Sequence, residues 1–327
     1  MLFNPSKNPV ELRVIHLNKS QEQRREDLME ATQGKAALKQ LKKTMAKKAK
    51  QALKIKSKNS KKDKEDKSQQ VFVLDFDGDI KATAVKHLRE EVSTLISTAN
   101  KGDEVVIRLE SGGGMVHSYG LAAAQLVRLK DAGLKLTVCV DKIAASGGYM
   151  MACVADTIIA APFAVIGSIG VVSQLPNFHK LLKKNDVDYE MVTAGDYKRT
   201  VTVFGENDDE DRAKYQQELE QTHDLFKHFV NTYRSQLDLD KVANGEHWYG
   251  EDALKLQLVD TLQTSDSYIL ELMDNHEVYA LHSRQKPTLA EKLGLSQAAE
   301  ATITMAIDKL PDALARFDLN SRLNILK

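Results

Sequence analysis

The run Val138-Cys139-Val140-Asp141-Lys142-Ile143-Ala144-Ala145-Ser146-Gly147-Gly148-Tyr149-Met150-Met151-Ala152 decides how this chain is built. An apolar, strand-like stretch (134–140) stops at a corner of small residues that carries one serine, Ser146. Two glycines and a Tyr-Met-Met-Ala run of helical pattern follow at once. Such a corner leaves the first backbone N–H groups of a helix without an intrahelical acceptor. A hydroxyl held there is placed to attack a carbonyl while nearby N–H groups receive the developing oxyanion. A plain tight turn with a helix-start serine fits the local pattern at least as well. The flanks have to decide.

Upstream, residues 71–76 form a buried-strand candidate, and 84–96 have helical spacing. Residues 104–109 read as the next strand and 119–129 as the next helix. Downstream of the corner, 148–154 read as a helix, and 157–160 and 189–192 as strands. Strands and helices alternating at this spacing predict an α/β fold with a mostly parallel sheet. Sites in such sheets lie at the carboxyl ends of strands. Two turns satisfy that rule: Glu110-Ser111-Gly112-Gly113-Gly114-Met115 after the second strand, and the Ser146 corner after the third. They are expected on the same edge, one βα unit apart. Beyond Asp208 the chain turns strongly helical, with Tyr215, Leu219, His223, Phe226, Phe229, Val230 and Tyr233 at three-to-four spacing. That pattern predicts a long packing helix, with His223 and His228 as part of its face rather than as ligands.

Composition sets limits on function. The 327 residues carry 46 basic and 46 acidic side chains, a net charge of zero. The distribution is uneven: 14 lysines against 3 acids give residues 35–67 a net +11. Residues 1–70 therefore read as a lysine-rich helical and linker region, helical over 22–56 and a flexible charged linker over 57–70. The lysines have no aromatic neighbours to stack on bases, so a solvated spacer is expected and no nucleic-acid partner. Cys139 and Cys153 sit in apolar runs and read as small core residues, not a disulfide or a metal site. No secretory signal or transmembrane span is visible, the longest apolar run (157–172) being short and broken by Pro162, Gly167 and Gly170. No cofactor or metal motif appears. Residues 289–327 read as an amphipathic helical tail.

A glycine run after a strand can cradle phosphate, but this one has neither the Walker ending nor the dinucleotide spacing. Alternatively it offers N–H groups to an oxyanion, glycine permitting close approach of a substrate. A serine nucleophile also needs a base. None of His117, His179 or His247 has an aspartate partner nearby. A lysine serves if desolvation keeps it neutral, and Lys198 stands in the turn-like Ala194-Gly195-Asp196-Tyr197-Lys198-Arg199-Thr200.

Residues 71–275 resemble the SppA/SohB family of Ser-Lys serine peptidases, most closely its inner-membrane SohB branch. The resemblance rests on five motifs in order: Leu-Glu-Ser-Gly-Gly-Gly-Met-Val-His (109–117), Ala-Ala-Ser-Gly-Gly-Tyr-Met-Met-Ala (144–152), Gly-Ser-Ile-Gly-Val-Val (167–172), Ala-Gly-Asp-Tyr-Lys-Arg-Thr (194–200) and Gly-Glu-His-Trp-Tyr-Gly (245–250). It implies a Clp-protease/crotonase-like fold over 71–275, a helical C-terminal extension over 276–327, and serine endopeptidase activity independent of ATP. It also implies Ser146 as nucleophile, Lys198 as general base, Gly113 or Gly114 with Gly147 as oxyanion donors, and Ser168 in the groove beside the lysine. The partners implied are peptide or protein substrates, other copies of the chain in a homo-oligomer whose packing brings serine and lysine together, and the inner membrane. Two departures stand out. Gly112 replaces the proline of the family's Ser-Pro-Gly-Gly, loosening the turn entropically, and the usual N-terminal anchor is not visible. A crotonase-like acyl-CoA enzyme and an inactive peptide-binding scaffold are the alternatives.

Overall fold

The computed structural model describes residues 10–59, 69–195 and 197–285. Among the described residues, those within 13–282 belong to one compact unit, and 10–12 and 283–285 belong to another. In the smaller unit residues 10–12 and 283–285 are described, and Arg284 bonds the Glu11 carboxylate at 3.3 Å.

The chain begins with strand β1 (Val10–His16) and the helical segment α1 (Leu17–Asn59). There follow β2 (Gln70–Gly78), α2 (Val85–Thr98), β3 (Glu104–Ser111), α3 (Val116–Asp131), β4 (Lys135–Val140), the stub β5 (Ile143–Ala145) and α4 (Gly147–Ala152). The second half holds β6 (Thr157–Ala160), β7 (Val165–Gly167), α5 (His179–Lys184), α6 (Asp209–Tyr233), α7 (Leu239–Val242), β8 (His247–Tyr249), α8 (Gly250–Lys255), β9 (Thr261–Leu262), α9 (Ser265–Met273) and β10 (Glu277–Gln285). The sheet runs β10-β2-β3-β4-β6-β9 with parallel neighbours, so the expected mostly parallel α/β architecture is the one observed. β8 runs antiparallel to β7.

The central strands are buried on both faces, which is why they read as continuous apolar runs. On one face Val71, Val73, Val106, Cys139, Ile159, Val278 and Ala280 close against Ile269 of α9. The alternate residues Leu74, Ile107, Leu109, Leu136 and Val138 are fully or almost fully buried, on the face where α2, α3 and α4 pack. Helix α6 opens with a capping box between Asp208 and Asp211, which satisfies two otherwise orphaned backbone donors. Just past its end, buried Arg234 grips Asp260 through both terminal nitrogens at 2.9 Å and the Gln257 carbonyl at 2.7 Å. Arg234→Ala removes both guanidinium bonds to Asp260, leaving it, among the described residues, only the Ile158 N–H at 2.7 Å, and strips the Gln257 carbonyl of its Arg234 donor. We expect it to destabilise the fold by about 3 kcal/mol in urea titration, the lower end of the cost of breaking a buried pair, because Asp260 keeps some solvent.

Three expectations differ from the structure. Residues 189–192 form no strand: no backbone among the described residues pairs with them, and Val192 is 96% exposed. The boundary at 275 falls one strand short, because residues 277–281 of β10 pair in register with 70–74; the alternation of Val278 and Ala280 into the core explains why. The rest of the expected 276–327 extension, including 289–327, lies outside the described residues. The N-terminal region is more than the expected solvated spacer. Ile15 and Leu17 pack on the core cluster. The Asn18 amide donates to the carbonyls of Met273 and His276 and accepts from Val278 N–H at 2.8 Å, clamping the start of α1 to the end of the sheet.

Within α1, Gly34 breaks the helix with φ 83° and ψ 165°, a conformation open to glycine and few other residues. Lys42 bonds Glu26 at 2.8 Å, a separation that a continuous helix of 16 residues would stretch to about 24 Å. The chain therefore folds back at Gly34 into two helical arms. Among the described residues no helix is long and apolar enough to cross a membrane.

Candidate active site

After β4 the chain steps sideways, and β5 pairs with the far end of β3, Ala144 lying beside Ser111. On its other side Ala145 pairs with Gly167 of β7. The ends of β3, β5 and β7 thus lie side by side, and the turns after them converge. The two turns singled out in the sequence do share one edge.

Ser146 sits at the corner between β5 and α4 with φ 52° and ψ −119°. Positive φ at a non-glycine residue stores strain of order 1–3 kcal/mol. Backbone bonds on both sides hold it: Ser146 N–H donates to Gly167 O at 2.8 Å, and Met150 N–H donates to Ser146 O at 2.9 Å. Ser168, in the next turn, is also at positive φ (51°), pinned by its N–H to Glu246 O. The glycine turn lies against the serine turn so closely that a Cβ on Gly113 would stand 2.6 Å from Gly147 N and 2.8 Å from Ser146 Cβ. Gly113, at φ 87°, is thereby restricted to glycine twice over.

The sequence left Gly113 and Gly114 as alternative donors. Gly113 N–H donates to Ser111 Oγ at 3.1 Å. Gly114 and Gly147 N–H have no acceptor among the described residues.

These turns open on a cavity of about 530 Å³. Gly113, Gly114, Ser146 and Ser168 line it, as four of the expected site residues. Gly147 is buried directly behind, against the Tyr119 ring. Val116, Val171 and Val172 add apolar wall, and His223, Asn244 and Gly245 complete it. Among the described residues that line it there is no Asp, Glu, Lys or Arg. This lining brings serine hydroxyls and glycine backbone to one cavity.

Lys198 is not part of that lining. It is exposed, in a turn whose own N–H donates to Gly195 O at 3.1 Å. Its surroundings are unusual: residues 171–199 leave Val172, Leu181, Val187, Met191, Val192 and Tyr197 on the surface. The histidine that does reach the cavity is His223, whose Nε2 lies 3.2 Å from Ile169 O. A carbonyl only accepts, so Nε2 is the donor in this contact. The three-to-four spacing on α6 marked His223 as inward-facing; nothing in the sequence said which cavity it faces. Cys139 and Cys153 are free and buried. Burial pushes both thiols up, Cys139 to about 12, so both stay protonated and unreactive.

Residues 128–279 match Peptidase family S49, and residues 3–126 match Peptidase family S49 N-terminal. The chain is 59% identical over 239 residues to "Probable protease SohB" of Haemophilus influenzae, covering 73% of this chain and 67% of that protein. It is 54% identical over 228 residues to "Probable protease SohB" of Buchnera aphidicola subsp. Acyrthosiphon pisum, covering 70% of this chain and 68% of that one. A solved structure of a mutant of the 1510-N membrane-bound stomatin-specific protease, in complex with a substrate peptide, aligns with a TM-score of 0.43 at 14% identity, over 69% of this chain and 96% of its own.

Proposed function

Given that this chain belongs to peptidase family S49 and is a serine peptidase, we propose that it is an endopeptidase whose nucleophile is Ser146 and whose base is Lys198, supplied by a neighbouring copy. The Clp-protease/crotonase-like fold class comes with the family, and the acyl-CoA alternative gives way to the peptidase. The observation that carries the proposal is the convergence of the Ser146 corner and the glycine turn on one cavity.

In the proposed reaction a neutral Lys198 amine takes the Ser146 proton as Oγ attacks a peptide carbonyl. Backbone N–H groups of the two glycine turns stabilise the tetrahedral oxyanion. The leaving amine takes the proton back, and an acyl-enzyme remains on Ser146. Water, deprotonated by the same lysine, then releases the acyl product. A lining without charged side chains favours apolar peptide segments, including membrane-derived or signal-like ones. Assembly is supported by the segment that bears Lys198: with Val172 81% and Val192 96% exposed, it has the surface of something meant to be covered. Membrane association, and an inner-membrane location with it, is proposed on the family's account. The division into an N-terminal region, a catalytic domain and a C-terminal extension is likewise proposed, with the catalytic body widened to include β10.

One observation favours a second reading. His223 lines the Ser146 cavity and Lys198 of the same chain does not, so His223 is a candidate base in cis. The two readings predict opposite results in fluorescein-casein cleavage. A lysine base makes Lys198→Met inactive and leaves His223→Gln with at least a tenth of wild-type kcat, about the scale that separates wall trimming from loss of a general base. A histidine base reverses the pair.

A further inference from the structure

We propose that Ser111 and Tyr119 are positioning residues of the peptidase, joined in a one-way hydrogen-bond relay that fixes the glycine turn and leaves Gly114 and Gly147, not Gly113, to meet the oxyanion. The inference rests on the nucleophile assignment above and adds the device that holds its oxyanion site.

The direction of the relay follows from counting protons. Tyr119 Oη lies 2.8 Å from Asp79 O and 2.5 Å from Ser111 Oγ. The Asp79 carbonyl only accepts, so it takes the single phenolic proton. The short contact to Ser111 must then be filled by the serine's own proton, and the alternative acceptor for it, Gly78 O, is farther away at 3.3 Å. Ser111 Oγ in turn accepts from Gly113 N–H at 3.1 Å. The relay therefore runs Gly113 N–H to Ser111 Oγ–H to Tyr119 Oη–H to Asp79 O, each link polarising the next. Burial raises the Tyr119 pKa above its ordinary value, which keeps the phenol a donor.

Both side chains also sit between the two turns. The Tyr119 ring presses on the serine turn: a Cβ on Gly147 would stand 2.4 Å from its Cγ. The Ser111 carbonyl presses on the next residue, 2.4 Å from where a Cβ on Gly148 would be. Ser111 and Tyr119 are both almost or fully buried. One tyrosine thus reaches the glycine turn through its hydroxyl and the serine turn through its ring. The relay consumes the Gly113 N–H, which removes Gly113 from the donor pair, and it fixes a turn in which Gly112 stands where the resemblance expects a stiffer proline.

The test uses the full chain with fluorescein-labelled casein as substrate, and a peptide boronic acid as mimic of the tetrahedral state. Tyr119→Phe keeps the ring and cuts the relay at its middle; Ser111→Ala removes the acceptor of Gly113 N–H. We expect kcat to fall about 100-fold in Ser111→Ala, the scale of a lost oxyanion donor, and less in Tyr119→Phe, where Ser111 still accepts. KM should stay within about twofold and boronate affinity should fall with kcat, as for interactions made in the transition state. A packing role would instead lower thermal stability and move KM and kcat together. Should Ser111→Ala not fold, Tyr119→Phe decides alone. Wild-type kcat in the folded variants, or a loss confined to KM, overturns the inference. Retained cleavage in Ser146→Ala overturns the nucleophile assignment and the inference with it, whereas an inactive Ser146→Ala beside fully active relay variants overturns the inference only.

Discussion

Ser146→Ala is expected to abolish peptide cleavage, a loss of about a millionfold in kcat if it follows other serine peptidases, with the fold intact. The reason lies in how Ser146 is held. Its backbone is fixed at φ 52° by bonds from both flanks, so the side chain contributes chemistry rather than architecture, and among the described residues Oγ has no hydrogen bond for its removal to disturb. Casein cleavage and labelling by an acyl-directed probe should both vanish, with an unchanged circular dichroism spectrum. A companion variant separates strain from chemistry. Ser146→Gly is equally inactive, yet glycine accepts positive φ without the steric cost. It should therefore be more stable than Ser146→Ala by about 1 kcal/mol in denaturant titration. Measurable cleavage by either variant rules Ser146 out as the nucleophile.

The second large effect concerns Lys198. Lys198→Met should be as inactive as Ser146→Ala. The informative experiment is to coexpress the two. If serine and lysine meet between copies, a mixed ring contains about one interface in four that joins an intact serine to an intact lysine, so about a quarter of wild-type activity returns. If both act within one chain, every subunit is dead and nothing returns. The exposed lysine turn and the uncharged cavity lining are what make this experiment decisive.

Much of the fold was legible because β2, β3 and β4 are covered on both faces and so spell out unbroken apolar runs. The three-residue strands β5, β7 and β8 were not, since three residues carry no period. Yet β5 and β7 bring Ser111, Ser146 and Gly167 together. Residues 189–192 misled for the opposite reason: Tyr, Met and Val are strand formers, but here their apolar side chains face outward in a single chain. At the site, Ser146 and the glycines could be found from their place at strand ends and from motif order. His223 and Asn244 reach the cavity through tertiary packing of α6 and the loop after α7, which no local pattern encodes. The Ser111–Tyr119 contact joins a strand end to a helix's first turns, eight residues on, and became visible only when the backbone set the two hydroxyls 2.5 Å apart.

The one-residue break at Gly34 has a consequence for the lysine-rich arm. The fold-back sets the Glu26 carboxylate on Lys42 as a hydrogen-bond acceptor, and this bond, with the nearby charges of Glu26, Glu22 and Glu30, raises the Lys42 pKa. The extension carries its own counter-charge. An anionic surface approaching it must compete with carboxylates already in place, and salt weakens both contestants at once, within a Debye length of about 8 Å at physiological ionic strength. Drawing the basic arm away would break the Lys42–Glu26 pair and return that carboxylate to solvent.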